Sequence, residues 1–88
     1  MRLIDFVERN YKYMSDITFE VVEQWGVIKV NDGGWSKEVN WVAWNGQPAK
    51  LDIRDWDPDH ERMSRGITLT EKEARTLYEI LHEHYGEE

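Results

Sequence analysis

Between positions 17 and 30, Ile17, Phe19 and Val21 alternate with Thr18, Glu20 and Val22, in a stretch rich in Ile, Val, Phe and Thr. A period of two sends successive side chains to opposite faces, and β-branched and aromatic residues suit a pleated surface, so a strand is predicted. Gly26 in its middle predicts a bulge or bend. Asn31-Asp32-Gly33-Gly34 tolerates positive φ and predicts a hairpin into a second strand, Trp35 to Asn45. There Lys37, Val39, Trp41 and Ala43 follow Trp35 on one side, and Ser36, Glu38, Asn40, Val42 and Trp44 take the other, so Trp41 and Trp44 are expected to face opposite ways. Asn45-Gly46-Gln47-Pro48 predicts a second hairpin turn. In the third strand, Ala49 to Trp56, Leu51 and Ile53 point one way and Lys50, Asp52, Arg54 and Trp56 the other. Burying so many charges is costly, so this second side is expected to face outward and to be the functional one.

Residues 57–65 form a polar loop without periodicity, and Gly66 to Leu69 reads as a short fourth strand with Ile67 and Leu69 turned inward. Thr70-Glu71-Lys72-Glu73 is a capping box. The helix it starts carries an apolar stripe of Ala74, Leu77, Tyr78, Leu81 and Tyr85, with Ile80 at its edge and Gly86 as its stop. Before the first strand, Leu3, Ile4, Val7, Tyr11 and Met14 are spaced by three and four, which predicts an amphipathic helix. Its expected role is an extension packing on its own domain or on a partner subunit. The pattern predicts an α+β fold: an extension over residues 1–16, then one domain over 17–86 in which four antiparallel strands precede a helix.

Composition narrows the chemistry. The 88 residues contain no cysteine, which excludes disulfides, zinc ribbons and thiol nucleophiles. No run approaches the about 20 apolar residues of a membrane span, and acids interrupt the first residues where a signal peptide would be apolar. A cytoplasmic protein is expected. The 11 Lys and Arg against 18 Asp and Glu give a formal net charge of −7, which opposes binding to a polyanion. The acids cluster, however, at Asp55, Asp57, Asp59 and Glu61 in the loop and at Glu71, Glu73, Glu79, Glu83, Glu87 and Glu88 in and beyond the helix, whereas Lys37, Lys50 and Arg54 lie in strands.

No nucleophile or paired-carboxylate arrangement stands out, so neither an enzyme nor a cofactor is expected. The run from Asp55 to Glu61 has the wrong residues for a calcium loop, with His60 at its sixth position and Gly66 at its twelfth. His82 and His84 fall on different helix faces, so no zinc site is expected. Cations alternating with aromatic rings along one sheet face suit a single-stranded nucleic acid, rings for its bases and charges for its phosphates. Trp25 and Trp41 are expected in the core and Trp44 and Trp56, at strand ends, at the surface. The plain alternative for Lys50 and Arg54 is an ion pair with Glu38 or Asp52.

The stretch from Trp44 to Trp56, Trp-Asn-Gly-Gln-Pro-Ala-Lys-Leu-Asp-Ile-Arg-Asp-Trp, then Asp57-Pro58, an acidic loop, and Arg65-Gly-Ile-Thr-Leu-Thr-Glu-Lys-Glu before a helix, resembles the C-terminal domain of the transcriptional coactivator positive cofactor four. It is most similar to the small bacterial, YdbC-type members of that family. The resemblance implies a curved four-stranded antiparallel sheet with a C-terminal helix, assembled as a homodimer that binds single-stranded DNA with little sequence preference. By motif it implies functional positions at Trp44, Arg54, Trp56 and Arg65, to which strand alternation adds Lys50. The sequence thus points to phosphate contacts through Lys37, Lys50, Arg54 and Arg65 and to base contacts through Trp44 and Trp56. Two other partners suit the same chain: single-stranded RNA on the same surface, or a basic protein meeting the acidic loop and helix.

Overall fold

The computed structural model describes residues 17–86. The chain runs through β1 (Phe19–Val30), β2 (Ser36–Trp44), β3 (Lys50–Trp56) and β4 (Ile67–Leu69), then one helix, α1 (Glu71–Tyr85). The strands form a single antiparallel sheet in the order β1-β2-β3-β4, which is the α+β arrangement the periodicity predicts. The helix expected over residues 1–16 lies outside the described residues. Among the described residues no helix is long and apolar enough to cross a membrane.

The turns follow from their residues. Asn45 and Gly46 take positive φ, 51° and 75°, the pair of left-handed conformations that lets a tight hairpin keep the strands' twist. The Gln47 N–H closes the turn on the Trp44 carbonyl at 2.8 Å. Asn45 also anchors the start of β1, its Oδ1 accepting the Thr18 N–H at 2.9 Å. Against β2, β1 steps out of register between Val21 and Glu23, between Gln24 and Gly26, and between Val27 and Lys29. The sequence predicts only the step at Gly26; three such irregularities bend and twist the strand along its length.

At the other end Thr70 caps α1. Its hydroxyl accepts the Glu73 N–H at 3.1 Å while the Glu73 carboxylate accepts the Thr70 N–H at 2.9 Å. Gly86 ends the helix, its N–H donating to the His82 carbonyl at 2.7 Å. None of the helix residues is buried, and Tyr78, Ile80, Leu81 and Tyr85 stand exposed. Among the described residues the apolar stripe of α1 is therefore present but only partly covered, with Ala74 and Leu77 half-buried.

The core occupies the sheet face that charge alone assigns to the outside. Ser36, Glu38, Asn40 and Val42 of β2 lie opposite Trp56, Arg54, Asp52 and Lys50 of β3, and on this side Phe19, Val21, Val42 and Trp56 form the buried cluster, with Trp44 and Met63 packed against it. Glu38, Asn40 and Asp52 are buried among them. The expectation fails because a buried charge is costly only when unpaired. Arg54 holds Asp52, and Glu38 accepts from Ser36 Oγ at 2.5 Å and Asn40 Nδ2 at 3.1 Å, with His60 Nε2 at 2.8 Å.

The opposite face is the more open one. Leu51 is buried there, but Ile67, expected inward, is exposed and Leu69 half-buried, because the three-residue edge strand is only partly covered by α1. Trp25 and Trp41 leave the core for the same reason. Their rings stack at 5.4 Å and 2° with Trp25 53% exposed, beside a cavity of about 550 Å³ that Ala74, Arg75 and Tyr78 of α1 close from the other side.

Candidate nucleic-acid interface

Strand alternation brings Asp52 and Arg54, two apart, to one side of β3. The pairing is bidentate: Arg54 Nε donates to Asp52 Oδ1 and Nη2 to Asp52 Oδ2, both at 2.7 Å. Burial pushes the Asp52 carboxyl above its ordinary pKa, and the hydrogen bonds and charge of Arg54 offset part of that rise. Arg54 Nη1 donates to the Ser64 carbonyl at 3.3 Å and to Met63 Sδ at 3.5 Å. The guanidinium so fixed lies with Cζ 4.6 Å from the centre of the Trp44 ring, in cation–π geometry.

The backbone of the loop before β4 closes over this arginine. A Cβ built on Gly66 would run into Arg54 Cβ and come within 2.8 Å of Arg54 Nε. The Asp-Ile-Arg strand and the Gly-Ile-Thr-Leu segment, apart in sequence, thus meet at one point, and the glycine is what lets them. Trp44, held by Arg54 on one side and by Phe19 at 5.4 Å and 40° on another, is half-buried. Its indole N–H is turned toward Asp52 closely enough to favour the carboxylate, without completing a hydrogen bond of ordinary geometry. The ring opens on a shallow cavity of about 350 Å³ lined by Gln47, Pro48, Lys50, Arg54 and Thr68.

The six residues singled out in the sequence do not all gather at one place. Trp44, Lys50 and Arg54 come together around this cavity, and Arg65 is exposed next to Gly66 in the chain. Lys37 does not join them: it sits on the opposite face of the sheet, paired with Asp55 at 3.0 Å. Trp56 does not join them either. It is 0% exposed, packed against Phe19 at 5.4 Å and His60 at 5.5 Å, so its ring is not available to a base. The assignment of its side of β3 to the surface fails at this end, where β1 brings Phe19 and Val21 over it, and holds at the Lys50 end. In the sequence Asp52 reads only as a plain ion-pair partner. Its two-residue spacing from Arg54 was the available sign of a more specific role.

Comparison with known proteins bears on the same stretch. The family described as Transcriptional Coactivator p15 (PC4) matches residues 31–80, which span β2, β3, the loop, β4 and most of α1. An uncharacterized protein of Treponema pallidum (strain Nichols) is 42% identical over 67 residues, covering 76% of this chain and 79% of that one.

Proposed function

The chain belongs to the family of the transcriptional coactivator p15 (PC4), and from that premise we propose that it binds single-stranded DNA without sequence preference, as a homodimer. The observation that carries the reading is the cavity at the β2–β3 hairpin, where the half-buried Trp44 ring and the exposed Lys50 share one opening. The part of the indole left open to this cavity is a surface for an unpaired base, and stacking of a base on an aromatic ring is worth about 1–3 kcal/mol whatever the base. Lys50 and Arg65 supply the phosphate contacts. Lys37 and Trp56 leave the contact set for the reasons of position and burial given above.

The acid surplus opposes this reading less than the net charge suggests. The charged side chains that line the cavity at Trp44 are Lys50 and Arg54, and among the described residues no carboxylate lines it. Support for a second copy comes from apolar side chains that the described residues leave exposed: Val22, Trp25, Val27, Ile28 and Val30 on β1 and Tyr78, Leu81 and Tyr85 on α1.

Titrating the protein into labelled oligothymidine at two salt concentrations tests the proposal. Binding at low salt that weakens steeply as salt rises is expected; no binding at low salt overturns it. Repeating the titration with oligouridine distinguishes DNA from RNA as the preferred strand.

A further inference from the structure

We propose that Arg54 acts on the bound strand through Trp44 rather than by gripping phosphate, and that Asp52 is the positioning residue that keeps it in place. The proposal rests on the single-strand binding reading above. A guanidinium has five N–H donors in a rigid fork, and four of those of Arg54 are engaged, by Asp52 Oδ1 and Oδ2, the Ser64 carbonyl and Met63 Sδ. Its side chain is only 12% exposed and that of Asp52 is fully buried. The Gly66 backbone lies against it on the loop side. A phosphate approaching from outside would find almost no donor to take.

What Arg54 does present is its charge over the Trp44 ring, with Cζ 4.6 Å from the ring centre. A planar guanidinium stacks on an aromatic face in a way a lysine ammonium does not. Because Asp52 holds it through two bonds at 2.7 Å, the arginine cannot swing out, and the indole it backs is fixed before any base arrives. Side chains ordered in advance bind more tightly, since little freedom is lost on contact. Without the Asp52 brace, Arg54 becomes an ordinary flexible cation and Trp44 loses the surface it rests on.

The test uses the full chain, labelled oligothymidine, and a series of salt concentrations, with Asp52→Asn, Arg54→Gln, Trp44→Ala and Lys50→Ala. For Asp52→Asn and Arg54→Gln, affinity is expected to fall about tenfold at every salt concentration, while the slope of log affinity against log salt stays that of the unmodified protein. Lys50→Ala, which removes a phosphate contact, is expected to make that slope shallower by about 0.7. In the Trp44→Ala background, Asp52→Asn is expected to cost nothing further. A shallower slope in Arg54→Gln, unchanged affinity in both brace variants, or a full additional loss on top of Trp44→Ala would each overturn the proposal. Should circular dichroism show Asp52→Asn unfolded, Arg54→Gln carries the comparison, alone and on the Trp44→Ala background. Failure of the unmodified protein to bind at low salt is a separate result and removes the binding reading along with this one.

Discussion

His60, in the loop after β3, sets its Nε2 2.8 Å from the buried Glu38 carboxylate of β2, joining the loop to the middle of the sheet. The same carboxylate accepts from Ser36 Oγ and Asn40 Nδ2, so three side chains from two segments converge on one group. Removing it as Glu38→Ala leaves the buried Ser36 and Asn40 without this acceptor. A loss of about 1–3 kcal/mol in unfolding free energy is expected, read by urea denaturation. An unchanged midpoint would mean that the cluster is not closed as described.

Gly66→Ala tests whether the two motif segments must touch. The added methyl would meet Arg54 Cβ and the backbone carbonyl oxygen of Ile53 and approach Arg54 Nε at 2.8 Å, so the strand or the arginine must shift. Overpacking of this kind costs about 1–3 kcal/mol. Thermal unfolding is expected to shift down by a corresponding amount, and oligothymidine affinity to fall in the protein that remains folded. Substitution of neighbouring Arg65 by Ala, which has open surroundings, is expected to leave stability within about 0.5 kcal/mol.

Both results bear on what the chain made legible. Periodicity placed all four strands and the helix, because alternation and a capping box are local signals; Thr70 and Glu73 need no distant partner to be recognised. Side assignment failed where it depended on distant pairing. Glu38 and Trp56 look like surface residues until it is known that His60 and Phe19 meet them, and no window of sequence contains those meetings; Asp52, two residues from Arg54, is legible as its ion-pair partner but not as a buried one. Trp25 and Trp41 erred in the other direction: hydrophobicity alone puts them inside, yet the core formed on the opposite face of the sheet. Trp44 and Lys50 were readable because both flank a turn whose geometry Asn45 and Gly46 specify themselves.

A second copy of the chain is expected to cover the stripe on α1. Leu81 is exposed in the middle of that stripe and contributes to no buried cluster among the described residues, so Leu81→Glu should leave far-ultraviolet circular dichroism unchanged. In a two-fold interface the substitution acts twice. With about 1.5–3 kcal/mol per buried leucine, the dimer should weaken by about 3 kcal/mol or more, roughly a hundredfold in its dissociation constant. Sedimentation equilibrium of both proteins decides it. A monomeric unmodified chain, or a variant that dimerises as well, would remove the homodimer from the proposed function.

The buried carboxylate of Asp52 should also leave a mark on stability against pH. An unfolded aspartate titrates near about 3.9. In the fold, burial raises that value and the Arg54 pairing recovers only part of it. Between the two values the folded chain keeps a proton that the unfolded chain has released, so stability falls as pH rises. The contribution is complete below about 3.9 and is lost as pH climbs through the raised folded value, at about 1.4 kcal/mol per unit of difference. Asp52→Asn cannot titrate. Its unfolding free energy minus that of the unmodified protein should therefore grow with pH across that window and stay level above it, as urea titrations from pH 3.5 to 8 would read. If the difference shrinks instead, the two bonds to Arg54 outweigh the cost of burial, and the brace stabilises the fold as well as the ring it supports.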